Sequence, residues 1–145
     1  MEKHFTIMGQ PQGKARPRVV RNHGISRTFT PEKTVNYENL VQLEYERQCS
    51  GDPLQGAVEA RIVAYFKIPK SVSKRRRAVL ISGMVRHTNK PDADNLAKII
   101  CDALNRFAFA DDSAISDLSV QKRYGEIPRV EVTLTEVEEQ GETKP

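Results

Sequence analysis

Residues 58–68 read VEARIVAYFKI and place an apolar side chain at every second position from Val58 to Ile68. Side chains alternate between the two faces of a β-strand, so one face of this segment is wholly apolar. Pro69 follows and ends the pattern, because proline cannot donate to a sheet ladder. The stretch therefore predicts a strand that packs one face on a core, and the rest of the fold is built around it.

Weaker alternation predicts further strands at residues 4–8, 84–87, 115–124 and 129–137. Helices are predicted from Thr30, whose hydroxyl would cap the first turn, to about Cys49, and from Ser73 to Ile81. A third helix, from Ala93 to about Phe107, carries apolar residues at helical spacing, which predicts a buried stripe. That stripe consists of Leu96, Ile99, Ile100, Ala103, Leu104 and Phe107.

Strands and helices alternate along the chain, which predicts an α/β (α+β) fold with a mixed β-sheet and packed helices. The 145 residues suit a single small domain, residues 1–145, and residues 9–30 are predicted to form one long basic loop. The N-terminus lacks a signal peptide pattern, and Cys49 and Cys101 have no metal-ligand spacing. We therefore expect a cytoplasmic protein with reduced thiols and no membrane partner.

Basic residues collect in two segments that contain no acidic residue, residues 14–27 and residues 67–77. The first contains Lys14, Arg16, Arg18, Arg21 and Arg27. The second contains Lys67, Lys70, Lys74, Arg75, Arg76 and Arg77. Carboxylates gather instead near the C-terminus, whose acidic tail, about residues 138–145, is compatible with disorder. This asymmetry favours a protein that binds a phosphate backbone, although each cluster alone is also typical of a solvated face.

The segment KPDADNLAK, residues 90–98, places Asp92 and Asp94 where a loop becomes a helix. Lys98 lies four residues after Asp94, on the same helix face, and a second acidic turn, Asp111-Asp112, follows the helix. Carboxylates are ligands of Mg²⁺, and such ions activate water in phosphodiester cleavage, while a lysine can hold the phosphate. Ordinary alternatives also exist: helix caps, an i,i+4 ion pair and a polar turn.

These motifs resemble the RusA-type Holliday junction resolvases, in chain order and over most of the chain. The resemblance rests on KPDADNL (90–96), Lys98, DALN (102–105), DDS (111–113), GKARPR (13–18) and KRYG (122–125). Pro91 departs from the pattern, since some members carry arginine there. That departure concerns a DNA contact at this position rather than the acidic residues.

The resemblance implies a homodimeric, Mg²⁺-dependent endonuclease, with Mn²⁺ as an alternative ion and no nucleotide cofactor. Its partner would be branched DNA, the four-way junction, cut by paired symmetric nicks in recombination and repair. It implies metal-binding catalytic acids at Asp92, Asp94 and Asp112 and a catalytic lysine at Lys98. Whether Asp111 shares the role of Asp112 stays open. Backbone contacts are expected from Lys14, Arg16, Arg18, Arg27, Lys74, Arg75, Arg76, Arg77 and Lys90.

Two other functions fit the same residues: a non-catalytic DNA-binding module, and a nuclease acting on flaps, forks or RNA. Phe29 would stack at an open junction or, as is commoner beside a helix start, pack in the core or as a hydrophobic staple of the helix. His87 flanks the acidic segment without a partner at ligand spacing. We expect it to be structural.

Overall fold

A four-stranded mixed sheet organises the chain, with strand order β1-β6-β4-β5, and a separate two-stranded hairpin is formed by β2 and β3. The computed structural model describes residues 1–139. The predicted disorder of the acidic tail concerns mainly residues 140–145, which lie outside the described residues. In chain order, the elements are β1 (Glu2–Met8), β2 (Arg18–Asn22), β3 (Ile25–Phe29), α1 (Glu32–Gln48), β4 (Val58–Lys67), α2 (Lys74–Ile81), α3 (Ala93–Leu104), a 3₁₀ turn (Asp112–Ala114), β5 (Ile115–Gly125) and β6 (Arg129–Glu136).

β4 is the strand predicted from the alternating stretch, and its alternate residues from Val58 to Phe66 are buried. It pairs in parallel with β5 and antiparallel with β6. The two last strands are therefore not neighbours, although only residues 126–128 connect them. β1 pairs antiparallel with β6 and completes the sheet. The predicted α+β fold with a mixed sheet is confirmed.

The core lies between one face of this sheet and the helices α1 and α3, because each helix turns one apolar stripe inward. α1 contributes Tyr37, Val41 and Tyr45, all nearly inaccessible to solvent. α3 buries its whole predicted stripe except Phe107, which follows the helix and is 43% exposed. The prediction that Phe107 is a core residue was wrong, because α3 already ends at Leu104.

Three other local predictions were wrong. Residues 9–30 do not form one loop, since β2 and β3 pair across the turn at His23-Gly24. Thr30 does not cap α1: Pro31 occupies the N-cap position and no side chain bonds there. Residues 84–87 form no strand. Ser73, by contrast, caps α2 as predicted, since its hydroxyl oxygen accepts a bond from the backbone N–H of Arg76 at 3.1 Å.

No helix within residues 1–139 has the length and apolar content needed to cross a bilayer.

Candidate active site

Asp92 and Asp94 lie at the N-terminus of α3, and both carboxylates are exposed to solvent. Asp92 occupies the N-cap position with an extended backbone, yet its side chain makes no capping bond. Its backbone carbonyl accepts the N–H of Leu96 at 3.1 Å, so the backbone alone begins the helix. Asp94 follows in the first turn. Within residues 1–139 neither carboxylate accepts a hydrogen bond, so helix capping does not account for them.

The two aspartates of the second acidic turn differ in their hydrogen bonds. Asp111 caps the 3₁₀ turn, because its Oδ2 accepts bonds from the Ser113 N–H at 3.2 Å and the Ser113 hydroxyl at 2.6 Å. These bonds to Ser113 hold the pKa of Asp111 below its usual range. Asp112 is exposed and accepts no such bond among the described side chains. Asp111 is therefore engaged in the turn, and Asp112 is the carboxylate that is free to bind a ligand.

Lys98 lies on the same stripe of α3 as Asp94 and Cys101, since these positions are related by i, i+4 and i+7. Its ammonium is 3.9 Å from Asp102, and the side chain is 62% exposed, which is a loose surface pair that leaves Lys98 free to move. Burial raises the pKa of the Cys101 thiol to about 11, and the charges of Asp102 and Asp112 add to the shift.

The three free carboxylates do not surround one point in this structure. In residues 1–139, no three carboxylate, imidazole or thiol groups lie close enough to share one metal ion. Asp92 is at the N-cap of α3, Asp94 is in its first turn, Lys98 follows one turn later, and Asp112 comes from the 3₁₀ turn before β5.

A groove of about 860 Å³ opens beside Asp92, and its lining includes five cationic side chains and a single carboxylate. Its charged members come from the N-terminal segment, from α1 and from the segment before α3. They are Lys14, Arg16, Arg18, Lys33, Lys90 and Asp92. We call it the basic groove. Cations this dense around one carboxylate fit a polyanion rather than a neutral ligand.

The wall of the basic groove is held by the segment from Gly13 to Lys14, which packs on the N-terminus of α3. The backbone N–H of Lys14 donates to the Asn95 carbonyl at 3.0 Å. A side chain at Gly13 would place its Cβ 2.7 Å from the Cβ of Pro91 and 3.1 Å from that of Asn95. Glycine is therefore required here for close approach rather than for an unusual backbone angle.

Lys14 is largely enclosed and pairs with two carboxylates. Its ammonium lies 3.0 Å from Glu38 on α1 and 3.3 Å from Asp102 on α3, with the side chain 17% exposed. Burial lowers the pKa of Lys14, but the bonds to Glu38 and Asp102 outweigh burial, and the pKa is raised. Lys14 therefore joins two helices beneath the groove. Its predicted contact with DNA stays a prediction, and the geometry gives it a structural task as well.

His87 anchors the segment that leads to Asp92. Its ring stacks on Phe66 with centroids 3.7 Å apart and meets Tyr124 edge-on at 5.2 Å. Its backbone N–H donates to the Lys122 carbonyl at 3.3 Å, and the Lys122 ammonium donates to the Asn89 carbonyl at 2.5 Å. The start of the acidic segment is thus fixed to the end of the sheet.

We expect His87 to make the protein less stable as the solution is acidified. Burial, and then the charge of Lys122, lower the pKa of His87 below its ordinary value of 6.5. The unfolded chain therefore binds a proton that the folded chain rejects. The stability that the neutral His87 ring contributes is fully present above pH 6.5. It is lost as the pH falls toward the pKa of His87 in the folded state.

Thermal unfolding of wild type and His87→Phe from about pH 7 to about pH 5 measures this linkage. Phe retains the stack on Phe66 but cannot titrate. The wild type should lose more stability over this range, by at most about 1.4 kcal/mol per pH unit for one proton. Parallel curves for the two proteins would show that His87 is not the group responsible.

The other predicted DNA-binding residues lie outside the basic groove. Lys74, Arg75 and Arg76 are exposed on the first turn of α2, and Arg77 is half-buried, 4.0 Å from Glu126. Arg27 is exposed on β3 and lines a separate depression with Val20. The described surface thus has three basic areas: the groove, the hairpin and the start of α2.

The chain matches the family model described as endodeoxyribonuclease RusA over residues 8–135. It belongs to the RusA endodeoxyribonuclease family. It is also 37% identical over 135 residues to the uncharacterized protein YqaN of Bacillus subtilis (strain 168), an alignment that covers 92% of this chain and 95% of YqaN. The predicted family is therefore confirmed, and the matched region contains the acidic residues, Lys98 and all the basic areas.

Three residues near this RusA-family site were not singled out by sequence reasoning for these roles. Lys33 lines the basic groove, but it follows Glu32 in the sequence and so did not stand out as part of a basic cluster. Lys122 holds the Asn89 carbonyl from a strand distant in sequence. Gly13 lay in the quoted basic motif, but only the packing against Pro91 reveals why it is glycine. Only Gly13 could have been identified from the sequence, because it is a glycine within a conspicuous basic motif.

Proposed function

We propose that this protein is a Mg²⁺-dependent, structure-selective endonuclease that resolves Holliday junctions. Family membership supports endodeoxyribonuclease chemistry on junction DNA. The observation that carries the proposal is a set of exposed carboxylates that accept no hydrogen bond within residues 1–139. They are Asp92 and Asp94 at the start of α3, the helix that also carries Lys98, and Asp112 in the 3₁₀ turn. Asp92 also lines the basic groove, whose cations would hold a phosphate backbone beside it.

The carboxylates suit Mg²⁺ in their chemistry. They are hard oxygen donors, and Mg²⁺ is commonly held by one or two protein carboxylates while water and substrate phosphate complete its shell. Asp92 and Asp94, two residues apart, fit that requirement, and Asp112 would contribute from the 3₁₀ turn. The three do not fit a single shell made of protein alone, since no three such groups converge within residues 1–139. Mn²⁺ accepts the same donors.

The chain's own groups would divide the work of phosphodiester hydrolysis. A bound Mg²⁺ supplies charge and an acidified water. Lys98, exposed and only loosely paired, would hold the scissile phosphate between the acids and balance its developing charge. The cations of the basic groove would hold the strand that leads away from Asp92.

Paired nicks require two active sites on opposed strands, and we propose that a two-fold homodimer provides them. A four-way junction has two-fold symmetry, so a symmetric dimer would present one site to each of two strands. The family supports recognition of this DNA rather than the assembly itself. Cleavage by a dimer would produce two nicks related by the symmetry of the junction.

The experiment is a comparison of cleavage rates on a labelled four-way junction, a replication fork, a flap and a linear duplex of matched sequence, each with and without Mg²⁺. The proposal requires metal-dependent cutting that is fastest on the four-way junction. Faster cutting of the fork or flap would keep the nuclease but change its substrate. Tight binding to all four without cutting would favour the non-catalytic binding module.

We expect the triple variant Lys74→Ala, Arg75→Ala and Arg76→Ala to flatten the salt dependence of DNA binding. The three side chains are exposed, and Ala keeps α2 helical while Ser73 still caps it. Each lost phosphate contact should lower the slope of log K against log salt concentration by ~0.9. Arg47→Ala is the control, because Arg47 already pairs with Glu44 at 2.7 Å. An unchanged slope in the triple variant would exclude α2 from the DNA interface.

A further inference from the structure

The β2–β3 hairpin is a ribbon that nothing in the described chain covers. Its turn has positive φ at His23 (51°) and Gly24 (76°), as in the tight turns that match the twist of paired strands. Every residue of both strands is exposed. Even so, the ribbon carries apolar side chains: Val19 is 62% exposed, Val20 47%, Ile25 62% and Phe29 45%. The expectation that Phe29 packs in the core was therefore wrong.

The strand register divides the hairpin into two unlike faces. Cross-strand partners point to the same side, and successive pairs alternate. One side carries the pairs Arg18–Phe29, Val20–Arg27 and Asn22–Ile25, and we call it the apolar-basic face. The reverse face carries Val19–Thr28 and Arg21–Ser26. The apolar-basic face thus combines three of the four exposed apolar side chains with two arginines, around a depression of about 400 Å³.

Charge and position point to the occupant of the apolar-basic face. Residues 18–29 contain three arginines and no acid, which favours a polyanion over a second copy of the same cationic ribbon. Arg18 also lines the basic groove beside Asp92, so a nucleic acid strand held in the groove would continue onto the hairpin. Arginine can contact phosphate, while apolar and aromatic side chains contact base faces.

Base faces are accessible only where stacking is broken. In continuous duplex each base is covered above and below, whereas the centre of a branched junction leaves steps open, and apolar side chains enter such steps. A surface that pairs arginines with Val20, Ile25 and Phe29 would therefore gain its apolar contacts at a branch point and lose them on linear duplex. This is a means of selecting structure without reading sequence.

We propose that the β2–β3 hairpin is the branch-point sensor of this protein. Arg18 and Arg27 hold phosphates, and Val20, Ile25 and Phe29 contact bases exposed at the junction centre. The inference rests on the proposed function in one respect, that the DNA lying along the basic groove is branched. It assigns selectivity to the hairpin rather than to the carboxylates.

The test compares two double variants of the whole protein. Val20→Ser with Ile25→Ser alters the apolar-basic face, and Val19→Ser with Thr28→Ser alters a cross-strand pair of the reverse face. Both pairs are solvent-exposed, so neither should change the unfolding temperature appreciably. Binding is measured without divalent metal on a four-way junction with 2-aminopurine at its centre and on a linear duplex of the same sequence.

Wild type and the reverse-face variant should prefer the junction and raise 2-aminopurine fluorescence as the base unstacks. The Val20–Ile25 variant should lose about tenfold of that preference, since contacts to one base contribute about 1–3 kcal/mol. The proposal would be overturned if the two double variants showed the same preference for junction over duplex, or if wild type showed no such preference. A Val20–Ile25 variant that dissociates from dimer to monomer in sedimentation would show that the face joins two copies instead.

Metal-free binding separates this proposal from the proposed function. A wild type that senses the branch through Val20 and Ile25 but never cuts DNA would refute the nuclease and keep the sensor. If wild type and the Val20–Ile25 variant cut junctions with the same selectivity, the proposed nuclease activity stands and the proposed role of the hairpin is refuted.

Discussion

Asp112→Asn should reduce metal-dependent DNA cleavage by about 10³-fold or more, while Asp111→Asn should reduce it by less than about tenfold. The two residues are adjacent, but their side chains differ in the hydrogen bonds that they accept. Asp111 accepts two bonds from Ser113 and closes the 3₁₀ turn, and asparagine retains an oxygen that can accept them. Asp112 makes no such bond, so its replacement by a near-isosteric amide removes only a charged ligand.

Single-turnover cleavage of a four-way junction by the two variants measures the contrast, and metal-free binding to the same junction provides the control. Both variants should bind at least as tightly as wild type, because each has lost a negative charge near DNA. A larger loss of cleavage in Asp111→Asn than in Asp112→Asn would mean that the turn rearranges and that Asp111 is the ligand.

Gly13→Ala should lower both the stability and the activity of the protein. The new Cβ would lie 2.7 Å from the Cβ of Pro91, closer than such atoms approach, so the segment before Asp92 or the segment of Lys14 must move. Overpacking of this kind costs about 1–3 kcal/mol. A displacement of about 1 Å at a catalytic group can lower the rate by about 10²-fold, so we expect a loss of that order in cleavage.

Gly51→Ala is the matched control for the effect of stability alone. Gly51 has φ of +92°, so alanine is strained there, but no atom lies within 4 Å of the new Cβ and the turn lies between α1 and β4. The control should unfold at a lower temperature yet cut DNA at the wild-type rate below that temperature. Equal loss of cleavage in both variants would show that Gly13 affects stability only and does not position Asp92.

Local patterns predicted the parts of the fold that depend on local physics. The alternation in residues 58–68 gave β4, and helical spacing gave the buried stripe of α3. The hairpin was missed because its strands are exposed on both faces, so no alternation marks them. The order of the sheet was also inaccessible, because it places β4 between two strands that are consecutive in sequence. Only long-range packing decides such an order.

In the candidate site, too, local features could be predicted from the sequence and long-range contacts could not. The acidic segment and Lys98 were predicted from spacing and resemblance, and the structure places Asp92 at the N-cap of α3 and Asp94 and Lys98 one turn apart on it. The pairing of Lys14 with Glu38 and Asp102 could not be predicted, since its partners come from two helices far along the chain. The roles of Asp111 and Asp112 were left open by sequence, because adjacent aspartates are chemically alike. Their hydrogen bonds distinguish them.

The most direct measurement is nick mapping on a four-way junction labelled in turn on each strand, with wild type and Asp94→Asn, in the presence and absence of Mg²⁺. Wild type should make two nicks placed symmetrically about the branch, only with metal, and leave linear duplex uncut. Asp94→Asn should bind the junction without cutting it. If both proteins bind the junction and neither cuts it with any divalent metal, the carboxylates are not catalytic and the protein is a DNA-binding module.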